Sequence, residues 1–273
     1  MVILSVIPCL KNEDDLMKKA QDYRPLGCVN CAKNAGLDFN FTMAFQPIVD
    51  ATSREIFAYE ALVRGSNNEP AGQVFAHVND ENRYQFDQNC RVKAIQLAAD
   101  LKISSFLSIN FMPNAVYQPE SCIRTTLEAA DIFGFSINQI IFEIVESEQV
   151  DDLDHLRNIV DYYKQSGFKT AIDDFGAGYA GLNFLSNIHA DILKLDMALI
   201  RNIHQDRTRQ IIVRGILQIC KELSVKVIAE GIEVREEFSI LQDFGVELFQ
   251  GYYFAKPGFQ SLPVVAPGAF DRP

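Results

Sequence analysis

The chain of 273 residues contains no tryptophan, and no apolar run reaches the roughly 18 residues that a membrane-spanning helix needs. Its opening, MVILSVIPCL, has neither a basic leader nor a small-residue cleavage site, so the sequence is read as cytoplasmic, without membrane insertion. Histidine is scarce. The four, His77, His155, His189 and His204, are scattered and earn no metal or catalytic role. Positive charge is short as well: 25 Lys and Arg stand against 36 Asp and Glu, a formal net charge of -11. A nucleic-acid polymer or an anionic membrane would have to approach against that field, so neither is expected as a partner. A small anionic ligand stays compatible with it where metal ions neutralise the site. Six cysteines in a chain too long to depend on disulfides point to reduced thiols. Cys28 and Cys31 form a single CxxC, half of the usual ligand set of a structural zinc, with Cys9 as a third thiol nearby. Two ordinary thiols in an N-terminal extension is the simpler reading.

What is abundant is apolar residues, 48% of the chain. At this length they can fill the core of one large α/β barrel or of two ordinary domains. From about Phe41 onward short apolar runs alternate with helix-like stretches, the rhythm of repeated βα units around a mostly parallel sheet. Eight runs read as strands: TMAFQPIVD, EIFAYEALVR, SSFLSIN, QIIFEIVE, KTAIDD, DILKLD, VKVIAE and VELFQG. Segments such as DQNCRVKAIQLAADL, DHLRNIVDYYKQSG and TRQIIVRGILQICKEL carry apolar residues at three- and four-residue spacing and read as helices. No helical segment separates the first two runs, so they are expected to pair as an antiparallel hairpin while the rest winds into a barrel. Residues 1–40, with a KNEDD cluster and the CxxC, read as an extension, 41–260 as the barrel, and 261–273 as a Pro- and Gly-rich tail.

Nearly every strand ends on a polar residue: Glu60, Asn110, Glu143, Asp173, Lys194, Glu230 and Gln250. In a parallel barrel the carboxyl ends of the strands open onto one face, where active sites are found. The two-residue strand period places Ala58, Glu60, Leu62 and Arg64 on one face of the second run, pointing inward, and Tyr59 and Val63 on the other. Glu60, Glu143, Asp173, Asp174, Glu230 and Glu233 would repel one another in a half-buried mouth without cations. Carboxylate and amide oxygens, with no histidine or cysteine in the pattern, are hard ligands suited to Mg²⁺ or Mn²⁺. Adjacent aspartates suit a two-metal site, in which a shared carboxylate bridges metals about 3.5 to 4 Å apart and a water is activated for in-line attack on phosphorus. Lys194 has a plainer alternative as a counter-ion for Asp196, and Gly176 and Gly178 as residues of a turn.

The motifs YEALVRG (59–65), SIN (108–110), FEIVES (142–147), DDFGAGYAGL (173–182), LKLD (193–196), AEGIE (229–233) and QGYYFAKP (250–257), in this order, closely resemble the EAL-domain phosphodiesterases of bacterial cyclic-di-GMP signalling. The resemblance runs from about Phe41 to Pro257. It implies an α/β fold, a modified (β/α)8 TIM-like barrel with an antiparallel first strand, and hydrolysis of cyclic di-GMP to linear pGpG with two Mg²⁺ or Mn²⁺ ions. By the same resemblance Glu60, Asn110, Glu143 and Asp173 are ligands of the first metal, and Asp173 and Asp174 hold the second. Glu230 lies near the attacking water and Lys194 beside it. Glu233 and Gln250 complete the shell, and Gln46 and Arg64 are substrate contacts. Arg64 also makes sense alone, since a guanidinium fork meets phosphate oxygens bidentately. Glu146 resembles the acid that steadies the loop after the two aspartates. The resemblance further implies a homodimer coupled through Phe175–Asn187, and the short extension leaves room for a regulatory protein partner. Two changes depart from the family pattern: Val145 stands where a threonine is usual, and the loop reads FGAGYAGL instead of FGTGYSSL. Neither removes a charge or a metal ligand. A cyclic-di-GMP receptor that does not cleave, and an interaction module that has abandoned the nucleotide, are the competing functions. The full acidic set favours the enzyme.

Overall fold

A computed structural model describes residues 37–113, 116, 119–145, 152–177 and 181–271. The CxxC cysteines, Cys9 and Glu146 lie outside the described residues. β1 (Phe41–Asp50) and β2 (Glu55–Gly65) form the expected antiparallel hairpin, with Gln46 opposite Glu60. Asp50 shapes its turn: Oδ1 accepts from the backbone N–H of Thr52 at 2.7 Å and of Ser53 at 3.1 Å. Pro47 lies just before the register shift at Ile48 and Val49, where an irregular strand tolerates its missing donor.

After β2 come α1 (Ala71–Phe75) and α2 (Arg83–Asp100), then β3 (Phe106–Phe111), α3 (Pro119–Cys122), α4 (Arg124–Phe133) and β4 (Ile140–Val145). The chain continues through α5 (Leu153–Gln165), β5 (Lys169–Phe175), α6 (Gly181–Asn187), β6 (Ile192–Leu195), α7 (Met197–Ile200) and α8 (Arg207–Glu222). β7 (Lys226–Ala229), α9 (Arg235–Asp243) and β8 (Leu248–Gln250) complete the alternation. β2 to β8 pair in parallel in chain order, and β1 closes the barrel by pairing antiparallel with both β2 and β8. The three helix-like segments are α2, α5 and α8. In α8, Val213, Ile216 and Cys220 form the buried stripe, and the Asp206 carboxylate caps the first turn at Thr208 N and Arg209 N.

Strand alternation creates two cores. Ile48, Ala58, Ile141, Ala171, Ile192, Ile228 and Leu248 plug the barrel interior, while the residues between them face the helices in a larger outer core. Tyr59 and Val63 lie in that outer core and Ala58 in the inner one, as the strand period requires.

Packing begins before residue 41 and continues past 260. The Phe39 ring stacks on His77 at 5.3 Å and lies 6.0 Å from Phe86. At the end of the segment read as the barrel, β9 (Gly258–Phe259) pairs with β1, and within the segment read as a Pro- and Gly-rich tail a turn of 3₁₀ helix at Pro267–Phe270 buries Ala269 and Phe270 against the outer core. A two-residue strand and a single turn are too short to leave a periodic signal.

Candidate active site

Two residues above the inner apolar plug, the inward positions turn polar. In β2 Ala58 is followed by Glu60, in β4 Ile141 by Glu143, in β5 Ala171 by Asp173, in β6 Ile192 by Lys194, and in β8 Leu248 by Gln250. Glu230, one residue past β7, follows Ile228 in the same way. β1 runs the other way, so the residue two before Ile48, Gln46, reaches this layer. A cleft of about 330 Å³ opens above it, lined by Gln46, Glu60, Asp173, Asp174, Lys194, Asp196, Met197, Glu230, Gly231, Glu233, Gln250, Gly251 and Tyr252.

Lys194, only 1% exposed, is the hub. Its Nζ lies 2.7 Å from Glu230 Oε1, 2.9 Å from Asp173 Oδ1, 2.9 Å from Glu143 Oε2 and 3.6 Å from Glu60 Oε2. Asp196 is not its partner; that carboxylate caps α7, accepting from Ala198 N at 2.7 Å. Around the hub, Asn110 Nδ2 donates to Glu60 Oε1 at 3.0 Å, and Gln250 Nε2 donates to Glu60 Oε2 at 2.7 Å. Ser108 Oγ donates to Glu143 Oε1 at 2.6 Å.

One ammonium does not balance so many carboxylates. Burial, then the neighbouring Glu60 charge, pushes the Glu143 carboxyl well above the ordinary range. Burial does the same to Glu230 despite Lys194. Burial also raises Asp174, helped by Asp173, to about 6. Glu60 goes the other way, because Lys194 and the amides of Gln250 and Asn110 outweigh its burial. Lys194 is itself disfavoured by burial, yet Asp173, Glu143, Glu230 and Glu60 hold it charged. Such a surplus of buried negative charge is relieved by protons or by cations.

Consecutive strand residues point to opposite faces, so two adjacent aspartates do not both enter a barrel from a regular strand. Here Asp174 adopts a left-handed conformation, φ 54°, and its N–H donates to Asp173 Oδ1 at 2.9 Å. Gly176 continues the turn at φ 100°, where a Cβ would stand 2.4 Å from Leu199 Cδ1. Both carboxylates thereby line the cleft. The result is two overlapping donor groups, Glu60–Glu143–Asp173 and Asp173–Asp174–Glu230, each with ligand oxygens within 4.8 Å of one another. Asp173 belongs to both. These are oxygen donors throughout, which fits Mg²⁺, Mn²⁺ or Ca²⁺. Gln250 Oε1, buried and without a protein partner, is a further acceptor left for a ligand.

Of the residues singled out in the sequence, Glu60, Asn110, Glu143, Asp173, Asp174, Lys194, Glu230, Gln250 and Gln46 converge here, Asn110 and Glu143 through their contacts with the others. Glu233 reaches the cleft but is 48% exposed and ion-paired to Arg201 at 2.8 Å. Arg64 is half-buried at the end of β2, its Nη1 on the Val63 carbonyl at 2.7 Å, and it is not among the residues lining the cleft. Three contributors escaped the sequence reading. Ser108 lies two residues before Asn110, where the strand period does place it inward. Glu237, on α9 and fully buried, accepts from Glu233 N at 3.1 Å and Asn202 N at 2.8 Å, tying together the loops after β6 and β7. Tyr252 stands at the cleft mouth, 56% exposed.

The chain matches the EAL domain family model over residues 33–257. It is 33% identical over 238 residues to the blue light- and temperature-regulated antirepressor BluF of Escherichia coli, covering 87% of this chain and 59% of BluF. It is 34% identical over 139 residues to the cyclic di-GMP phosphodiesterase PdeR of the same organism, covering 51% of this chain and 20% of PdeR. The chain thus spans less than two thirds of either relative. Among solved structures, a standalone versatile EAL protein of Vibrio cholerae O395, in its c-di-GMP-bound form, matches with a TM-score of 0.84 and 58% identity over 87% of this chain and 100% of that one. Klebsiella pneumoniae BlrP1 in complex with manganese and cyclic di-GMP matches with a TM-score of 0.77 and 33% identity, over 81% of this chain and 56% of that one. With its family model spanning the whole barrel and its acids gathered where the strands end, the chain belongs to the EAL domain family.

Proposed function

We propose that this protein hydrolyses cyclic di-GMP to linear pGpG with the help of two divalent cations. The observation that carries the reading is Asp173, whose carboxylate belongs to both donor groups and so suits the bridging position of a two-cation site. Glu60, Asn110, Glu143 and Asp173 would hold one ion; Asp173 and Asp174, with Glu230 close by, the other. The ions supply Lewis acidity for a phosphodiester and activation of a water. Glu230 takes up or orients a proton of that water, and Lys194 holds Glu230, Asp173 and Glu143 in register while offering positive charge beside the scissile phosphate. Gln46 and Gln250, joined by a hydrogen bond of 3.3 Å, present amides to the nucleotide, and Arg64 meets a phosphate from the rim. BlrP1, solved with manganese and cyclic di-GMP, and PdeR, a phosphodiesterase by name, support this reading.

A second reading, a receptor that binds cyclic di-GMP without cleaving it, draws support from BluF, which is named an antirepressor. Incubation with cyclic di-GMP and Mg²⁺ or Mn²⁺, with and without a chelator, separates the two. The enzyme turns substrate over only with metal, whereas the receptor binds and leaves it intact. Ca²⁺, larger and less strict in geometry, should support binding better than turnover.

The reading extends to a cytoplasmic homodimer in which Phe175–Asn187 couples the cleft to the partner, and to a regulatory protein partner. Among the described residues no helix is long and apolar enough to cross a membrane. Specific activity that stays constant while dilution drives the protein to monomers would remove the dimer coupling.

A further inference from the structure

Tyr252 combines a fixed backbone with a free ring. On one side Gln250 accepts from Ile232 N at 3.1 Å, and Gly251 lies so close to the Ile232 backbone that a Cβ would stand 2.1 Å from its carbonyl oxygen. On the other side Tyr253 N donates to Ile232 O at 2.9 Å, and the Tyr253 ring stacks on Phe238 with centroids 5.9 Å apart. The chain is therefore clamped before and after Tyr252, while the Tyr252 side chain is 56% exposed at the cleft mouth. Lys256 Nζ sits over the ring, 5.5 Å from its centroid. An aromatic more than half exposed on a rigid backbone, with one lysine over its ring, contributes little to the fold. It does offer a flat, two-torsion surface at little entropic cost to whatever enters the cleft.

We propose that Tyr252 is the stacking shelf for one guanine base of the substrate, with Lys256 supplying positive charge at the rim of an otherwise acidic cleft. The inference rests on the cyclic-di-GMP reading above and adds to it the residue that receives a base. Purines stack on aromatic faces whatever their edge pattern, so the shelf contributes affinity and placement, and the cation over the ring strengthens the stack. Lys256 also meets the dianionic nucleotide before the carboxylates do. Tyr252 is a positioning residue in this account, since the reacting phosphate lies deeper, among the acids around Lys194.

The test titrates cyclic di-GMP into the full chain with Ca²⁺ present, for the wild type, Tyr252→Phe, Tyr252→Ala and Tyr252→Trp, and follows steady-state turnover with Mg²⁺. Truncation to alanine should raise Kd and KM by about 5-fold to about 150-fold, the usual worth of one stacked base. Its kcat and melting temperature should stay close to those of the wild type. Phenylalanine should restore binding. Because the chain has no tryptophan of its own, Tyr252→Trp introduces a lone fluorophore, whose emission should change saturably with the wild-type Kd. Wild-type binding matched by Tyr252→Ala, or a Tyr252→Trp emission indifferent to ligand, overturns the shelf and leaves the proposed function standing. A wild-type protein that does not bind cyclic di-GMP overturns both.

Discussion

Lys194 Nζ lies 2.7 Å from Glu230 Oε1, a pair formed where β6 and β7 end side by side, with Lys194 almost fully buried and Glu230 facing the cleft. In the function proposed above, that contact divides the labour: the lysine holds the acid, and the acid meets the water. Glu230→Gln keeps the shape and removes the basicity, so kcat should fall by about 10²- to 10⁴-fold, the worth of a positioned acid or base, with substrate affinity little changed. Arg64→Ala, outside the cleft lining, should instead raise KM with kcat preserved. Steady-state kinetics of the two variants checks the contrast; a Glu230→Gln enzyme that keeps most of its kcat contradicts the placement of the water.

Lys194→Met leaves Glu60, Glu143, Asp173 and Glu230 without the ammonium they share. Removing one side of a buried ionic cluster should cost about 3 to 5 kcal/mol of stability in metal-free protein. Divalent cations should return part of that loss, because a ligand that binds only the native state stabilises it. Thermal melts of wild type and variant, each with chelator and with Mn²⁺, read both effects. A variant as stable as the wild type in chelator would mean that protons, not Lys194, balance the acids.

Asp87 supports the site from behind. On α2 it pairs with Arg91 at 2.6 Å and accepts from Met112 N at 2.9 Å, two residues beyond Asn110. Arg91 is fully buried, its guanidinium 5.2 Å from the Phe142 ring centroid and 5.5 Å from that of Phe111. Asp87→Ala should therefore destabilise by about 3 to 5 kcal/mol through the unpaired cation. Denaturant unfolding measures this, and a loss under about 1 kcal/mol would show that Arg91 finds another partner.

Burial pushes the Tyr163 phenol up to about 12, even though Arg91 donates to it at 3.1 Å. Its pKa is higher in the folded state than in the unfolded chain, so the native state holds the proton longer. The stabilisation is complete below about pH 10 and is lost as pH rises toward about 12. Tyr163→Phe should flatten the wild-type decline in that window. Parallel alkaline unfolding curves for the two proteins would show that Tyr163 does not titrate this way.

Much of the site was legible in the sequence because a parallel barrel gathers strand ends, and each acid there interrupts an otherwise apolar alternation. Glu60, Glu143 and Asp173 announce themselves that way. That they share Lys194 was not legible, since Glu60 and Glu230 lie far from it in the chain and only barrel closure brings them to one ammonium. The bend that turns Asp174 beside Asp173 depends on a left-handed backbone at a residue whose type does not demand it. Glu237 sits in a charged helix start, VREEF, where nothing distinguishes the buried glutamate from its exposed neighbours. Phe270 was hidden for a different reason: one turn near the chain's end has no period to detect.

The central claim, water attacking phosphorus in a metal-dependent cleavage, is tested most directly by turnover in ¹⁸O-enriched water with Mg²⁺ or Mn²⁺. Mass spectrometry of the linear product should find one solvent oxygen on its new terminal phosphate, and no product in chelator. Label on a ribose hydroxyl, turnover undiminished by chelator, or cyclic di-GMP recovered intact from a metal-loaded protein that binds it would contradict the account.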